Sequence, residues 1–272
     1  MASPPSSKRG GPSLMELRYA AEEKEHAEVE RAFADLEYWS SVWATQHPPF
    51  FDKLCASPFV GALASTWGLG EKARCLIPGC GRGYNVSALA ATRPTFYVLG
   101  VDLCPVAVRL AEERQLAEFA FAEKLEIDPP FPLQAAEYRL GNFFKLPAAH
   151  PENRFDLVLD DSFLCMLDPR VRPGWAKKMA ALVKVGGQLV VAIYPIMDRD
   201  PKAGGPPFAL SIAGVRDLLI EEGFKPLAID VLPPELCHAA TATALGAEDS
   251  SPNAPRTALG RFVRLHDEEE AM

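Results

Sequence analysis

No apolar stretch in this 272-residue chain reaches the roughly 18 to 20 residues that a membrane-spanning helix requires. The opening run Met1-Ala2-Ser3-Pro4-Pro5-Ser6-Ser7-Lys8-Arg9-Gly10 holds no signal-peptide core. Both absences make the cytoplasm the expected location. Cysteine is sparse: six residues, at 55, 75, 80, 104, 165 and 237, with no C-x-x-C pair. Neither a zinc framework nor a disulfide scaffold fits that scatter, and reduced, buried, structural thiols do. The histidines at 26, 47, 150, 238 and 266 show no ligand spacing, so no metal is assigned. Positive charge is in deficit. With 28 Lys+Arg against 36 Asp+Glu the net charge is −8, which argues against a nucleic-acid partner, since such binding needs a basic footprint. No membrane partner is expected either.

What is present is an ordinary globular composition. Hydrophobic residues make up 48% and charged residues 24%, and the length suffices to bury a full core. The 25 prolines point to long loops or tails. Residues 1–13 are rich in Pro, Ser and Gly and read as a disordered extension. From Leu14 to about Tyr38 the chain is rich in Ala and Glu, which favours helix. An aromatic segment follows, with Trp39, Trp43, Phe50 and Phe51, and Pro48-Pro49 makes part of it loop.

Beyond this, short apolar runs alternate with helical stretches. Strands are expected at 75–77, 97–101, 138–140, 155–159, 188–194, 227–231 and 261–265. Helices are expected from near Asn85, from Pro105, from Arg172 to about Val183 (stopped by Gly186-Gly187) and around Val215 to Leu219. Such alternation means an α/β domain with a mostly parallel, seven-stranded sheet and helices on both faces. The last two strands have no helix between them and should form an antiparallel hairpin around a loop at 236–258. A single domain over 14–266, with an N-terminal helix and lid at 14–60, would end in an acidic, solvated tail at 267–272.

The segment Pro78-Gly79-Cys80-Gly81-Arg82-Gly83 follows a strand and opens a helix. Glycines let backbone turn sharply and approach a ligand. The pattern is neither the dinucleotide fingerprint G-x-G-x-x-G nor the triphosphate loop G-x-x-x-x-G-K-[ST]. Asp102, with Leu103 beside it, ends the next strand. An aspartate there can cap the following helix, or accept hydrogen bonds from both hydroxyls of a ribose. Paired with the glycine turn it indicates a nucleoside site without phosphates, for which S-adenosylmethionine is the common ligand. Asn142 and Phe143 follow the third strand, and Asp160 and Asp161 end the fourth. Carboxyl ends of strands line the ligand crevice in this topology.

These residues resemble the class I S-adenosylmethionine-dependent methyltransferases. Trp39-x-x-x-Trp43, the stretch Asp168-Pro169-Arg170-x-Arg172-Pro173-Gly174-Trp175-Ala176, and Tyr194-Pro195-Ile196 before Gly204-Gly205-Pro206-Pro207-Phe208 narrow the resemblance to the thiopurine S-methyltransferase superfamily, nearest its plant and fungal thiol and halide methyltransferases. The resemblance implies a Rossmann-like fold. It places Trp39, Trp43 and Phe50 over the cofactor, Gly79 and Gly81 at its methionine part, Asp102 and Leu103 at the ribose, Asn142 and Phe143 at the adenine, and Asp160 and Asp161 at the crevice. Where this chain has Asp161, relatives carry Tyr or Arg.

The activity implied is methyl transfer to a small soft nucleophile: a thiol, bisulfide, thiocyanate or halide. Asp161 is the candidate base for a thiol, and Arg170 and Arg172 are candidate partners for an anion. A monomer is expected. The alternatives are another small-molecule acceptor on the same scaffold, or a regulatory protein that binds S-adenosylmethionine without turnover. A nicotinamide dehydrogenase is disfavoured by the incomplete glycine fingerprint.

Overall fold

Strand side chains alternate between faces with a period of two, and in this chain the alternation sorts the core into two layers. Cys75, Ile77, Leu157, Leu159, Val190 and Ala192 pack in one layer, while Leu76, Val158, Leu189, Val191 and Ile193 pack in the other. Strands buried on both sides read as continuous apolar runs, which is why they stand out in the sequence.

The computed structural model describes residues 36–45, 48–148, 150–197, 205–238 and 256–266. The extension at 1–13, the start of the expected first helix (14–35), Gly204, most of the 236–258 loop and the acidic tail lie outside the described residues. The described elements are α1 (36–45), α2 (Pro58–Leu63), β1 (Arg74–Pro78), α3 (Tyr84–Thr92), β2 (Tyr97–Asp102), α4 (Pro105–Lys124), β3 (Ala136–Leu140), β4 (Phe155–Asp161), α5 (Arg172–Leu182), β5 (Val183–Ile196), α6 (Ile212–Glu221), β6 (Phe224–Val231) and β7 (Arg256–Arg264). They form one seven-stranded sheet of order β3-β2-β1-β4-β5-β7-β6. All pairings are parallel except those of β7, which runs antiparallel to both β5 and β6. Residues of α2, α3 and α4 pack in the first layer, and those of α5 and α6 in the second. The strand order reverses beside β1, so a crevice opens at the carboxyl ends of β1 and β4. No helix among the described residues is long and apolar enough to cross a membrane.

Two expectations are corrected. Gly186-Gly187 do not separate α5 from the next strand. β5 starts at Val183 and runs through both glycines, because they absorb a bulge: Phe155 pairs with Val183, but Leu157 pairs with Gln188. Gly186 sits at φ +77°, and a Cβ on Gly187 would press on the backbone oxygens of Lys184 and Asp156. The loop before the last strand is also shorter than expected, since β7 starts at Arg256. Its pairing with both neighbours explains the early start. The cysteines bear on packing as follows: Cys75, Cys104 and Cys165 are buried, Cys80 and Cys237 are half-buried, and Cys55 is exposed, so the buried-thiol expectation fails at Cys55.

The turn after β1 depends on Gly83, at φ +72° in the left-handed region. A Cβ there would collide with the Tyr138 ring, which is held by hydrogen bonds to Ser87 and Arg114. Gly83→Ala is therefore expected to cost about 3 kcal/mol, combining left-handed strain with overpacking. Urea unfolding checks this, and a loss under 1 kcal/mol would mean that the ring yields.

Candidate functional site

The crevice has a volume of about 370 Å³, and its floor is the glycine turn. Gly79, Gly81 and Gly83 all have left-handed φ, at +58°, +52° and +72°. Arg114 on α4 fixes the turn from behind. Its guanidinium donates to the carbonyls of Arg82 at 2.8 Å and Gly83 at 3.1 Å, to Ser87 Oγ at 2.7 Å and to the Tyr138 hydroxyl at 3.1 Å. Sequence reading missed Arg114, because its partners are backbone carbonyls about 30 residues away.

Asp102 ends β2 on the crevice wall, with Leu103 next to it. Its Oδ2 accepts the Gly81 N–H and its Oδ1 the Cys104 N–H, each at 2.9 Å. One carboxylate thus joins the glycine turn to the start of α4. Burial pushes this carboxyl above the ordinary aspartate value, against the pull of the backbone N–H groups of Cys104, Gly81 and Leu103.

The opposite wall is aromatic. Trp43 is buried and Trp39 half-buried. Both meet Phe51 edge to face at 5.5 Å, and Phe50, more exposed, packs on Phe51 at 5.1 Å. Asp52 pairs with Arg82 of the glycine turn at 2.6 Å, and that guanidinium lies 5.9 Å from the Trp43 ring centroid. The ion pair latches the aromatic segment to the turn. Asn142 caps the turn after β3, its Oδ1 accepting the Phe144 N–H at 2.9 Å. Phe143 is buried edge-on to Phe163 and Phe144.

The two acids ending β4 diverge, since consecutive strand residues face opposite sides. Asp161 lines the crevice. Its Oδ2 accepts hydrogen bonds from Ser57 Oγ and from Asn85 Nδ2, the latter at 2.6 Å. Asp160 is not a crevice residue. It is fully buried and accepts from the N–H groups of Phe163 at 3.1 Å, Leu164 at 3.0 Å and Trp175 Nε1 at 2.9 Å. From inside the core it organises the turn after β4. Arg172 is likewise off the crevice wall. Half-buried, it donates to the Ala209 carbonyl at 3.3 Å. Arg170 does reach the wall, exposed, with its fork on Asp168 at 2.7 and 2.8 Å. Ser57, Asn85 and His238 complete the site around Asp161 and were not read from the sequence. His238 Nε2 lies 2.8 Å from Ser57 Oγ although 181 residues separate them. Among the described residues no group of three or more His, Cys, Asp or Glu could hold a metal ion.

The residues fit S-adenosylmethionine. Glycine at 81 keeps the turn free of a Cβ that would point toward Trp43 at 3.6 Å, inside the crevice. The carboxylate at β2 suits ribose hydroxyls, and aromatic faces suit a sulfonium.

Comparison with known proteins agrees. The family described as thiopurine S-methyltransferase matches residues 34–245. A probable thiol methyltransferase 2 of Arabidopsis thaliana is 32% identical over 191 residues, covering 70% of this chain and 75% of that protein. Thiocyanate methyltransferase 1 of Brassica oleracea is 32% identical over 200 residues, covering 72% and 76%. A solved structure from work on conversion of a disulfide bond into a thioacetal group during echinomycin biosynthesis superposes with a TM-score of 0.58 at 19% identity, covering 87% of this chain and 95% of that one, a likeness of fold alone. The chain belongs to the thiopurine S-methyltransferase family, and with it to the class I S-adenosylmethionine-dependent methyltransferases.

Proposed function

We propose that the protein moves a methyl group to a small soft nucleophile of the thiol type, with thiol, bisulfide, thiocyanate and halide as the candidate acceptors. The observation that carries this reading is one crevice in which the glycine turn and Asp102 face an aromatic wall, with Asp161 on the same lining. The names of the plant relatives, thiol and thiocyanate methyltransferase, support the acceptor class.

Bound there, S-adenosylmethionine supplies a methyl carbon on a positively charged sulfur, open to in-line displacement. Gly79, Gly81, Asp102 and Leu103 would hold and orient it, with Asn142 and Phe143 to hold the base. Trp39 and Trp43, which line the crevice, would hold the sulfonium by cation–π contact worth about 0.5 to 2 kcal/mol and would exclude water. Excluding water strips the attacking nucleophile of its shell. Positioning contributes most, since reacting atoms held about 3 to 3.5 Å apart and in line gain a large effective concentration.

The test is a competition among acceptors. The protein, incubated with methyl-labelled S-adenosylmethionine and a pool of bisulfide, thiocyanate, iodide, a small aryl thiol and a thiopurine, should yield a labelled thioether, methyl thiocyanate or methyl iodide by mass spectrometry. Cofactor binding without any labelled product would reject this acceptor class.

A further inference from the structure

We propose that Asp161 makes this site select a neutral thiol over a preformed anion: it is the thiol's proton acceptor, held in place by Ser57, Asn85 and His238. The inference rests on the methyltransferase reading above and narrows its acceptor to one that carries a proton.

The hydrogen bonds assign the two oxygens of Asp161 different tasks. Oδ2 takes both strong donors, the Ser57 hydroxyl and the Asn85 amide. Ser57 is buried, and its own N–H donates to Asn85 Oδ1 at 2.8 Å, so the two donors brace each other. Among the described residues Oδ1 accepts only a long bond of 3.4 Å from Ser162 Oγ, and is the oxygen able to take a proton from the crevice. A hydroxyl has one proton to give. Ser57 gives it to Asp161, so in the 2.8 Å contact between Ser57 Oγ and His238 Nε2 the imidazole must donate. That fixes the Nε2–H tautomer and leaves Nδ1 as the side facing Cys55 Sγ, 3.7 Å away. Imidazole and hydroxyl donate in turn, in a chain that ends on one oxygen of the carboxylate and aims the other. His238 is thus a positioning residue, acting through Ser57.

The charges around the crevice favour the same acceptor. Arg82 is answered by Asp52 at 2.6 Å and Arg170 by Asp168 at 2.7 Å, while Lys53 turns its ammonium to the Phe50 carbonyl at 3.2 Å. None of the ion pairs among the described residues involves Asp161, whose partners Ser57, Asn85 and Ser162 are all neutral. A carboxylate with no cationic side chain paired to it among the described residues repels iodide, thiocyanate or bisulfide. It attracts the S–H of a neutral thiol.

The transfer balances. The acceptor S–H bond breaks, its proton goes to Asp161 Oδ1, and its electron pair forms the new bond from sulfur to the methyl carbon. The bond from that carbon to the sulfonium sulfur breaks, and its pair stays on that sulfur. The carboxylate charge and the sulfonium charge disappear together. The groups facing the imidazole are Lys53 and Cys55 from the segment before α2, Asp161 from β4, Tyr194 from β5 and Cys237 on its own turn. Burial holds His238 below the ordinary histidine value, with Asp161 pulling it up and Lys53 pushing it further down.

Labelled methyl transfer by the wild type and by Asp161→Asn, to a small aryl thiol and to thiocyanate between pH 6 and 9, tests the proposal. The wild type should prefer the thiol. Asp161→Asn should lose about 100-fold on the thiol at pH 7, the scale of general-base catalysis, and gain about tenfold on thiocyanate as the repulsion goes. Its remaining thiol rate should rise about tenfold per pH unit below the thiol's own pKa, because only preformed thiolate reacts. The wild-type profile should be flatter. A second readout needs no turnover. In the protein without S-adenosylmethionine, the His238 resonance (assigned by its loss in His238→Gln) should titrate at lower pH in Asp161→Asn than in the wild type. Equal loss on both acceptors in Asp161→Asn, or an unmoved His238 titration, would overturn the inference while leaving the methyltransferase reading intact. No labelled product from any acceptor would overturn that reading and this inference with it.

Discussion

Alanine in place of Asp102 is expected to weaken S-adenosylmethionine binding by about 100- to 10,000-fold. A hydrogen bond to a charged group contributes about 1.5 to 3 kcal/mol. Two ribose hydroxyls on one carboxylate would therefore account for about 3 to 6 kcal/mol, and each 1.4 kcal/mol is tenfold in affinity. The substitution also strips the Gly81 and Cys104 N–H groups of their acceptor, so the glycine turn loses its tie to α4. Asp102→Asn keeps one acceptor oxygen and should lose less. Titration calorimetry of the three proteins gives the comparison, and an unchanged Kd in Asp102→Ala would remove this residue from the cofactor site. The affinity should also depend on acid. The ionised form is the one that would accept both hydroxyls, and burial raises the carboxyl above its ordinary value. Binding should accordingly fade on acidification at a higher pH than an exposed aspartate would give.

The sheet was legible because its inner strands are buried on both faces. Runs such as Gln188 to Tyr194 need no long-range information to be recognised. The glycine turn was legible for a similar reason, since it is a local backbone requirement written in one residue type. Asp160 shows where the reading fell short. Period-two alternation allows only one of two consecutive strand residues to face the crevice. Leu157 and Leu159 lie in the layer of α2 and α3, while Val158 lies in the layer of α5. Asp161 therefore joins Ser57 and Asn85, and Asp160 joins Trp175. Arg172 was misplaced on a different ground: its position at the start of α5 was readable, but its direction was set by the carbonyl of Ala209. Ser57 and His238 gave no signal at all. They meet Asp161 only because the segment before α2 and the turn after β6 close over the end of β4, contacts that span more than 100 residues.

The other large effect is expected at Asp160, in stability rather than binding. Burial pushes its carboxyl from 3.8 up to about 7, against the pull of the N–H donors of Leu164, Trp175 and Phe163, with the nearby Asp161 charge adding to the rise. The folded state therefore holds this proton more tightly than the unfolded chain, where an aspartate titrates near 3.9. The stabilisation is fully present below the unfolded value and is lost as pH rises through the folded one. The loss runs at about 1.4 kcal/mol per pH unit between pH 5 and the folded value near 7, then levels off, and amounts to about 3 kcal/mol by pH 8. In a protein of this size that is roughly 10 °C in Tm. Asp160→Asn removes the titrating group. Its Oδ1 can still accept from Phe163 and Leu164, but its NH2 meets the Trp175 Nε1–H donor to donor, at a cost of about 1 to 3 kcal/mol. The variant should be less stable than the wild type at pH 5, and the gap should close or reverse by pH 8. Trp175→Phe does the opposite: it keeps the carboxyl but deletes a donor that favours the ionised form, so its stability should go on falling to higher pH, and by more in total, than that of the wild type. Parallel pH curves for all three proteins would mean that Asp160 is ionised in the fold throughout, and that its three donors alone offset the burial of its charge.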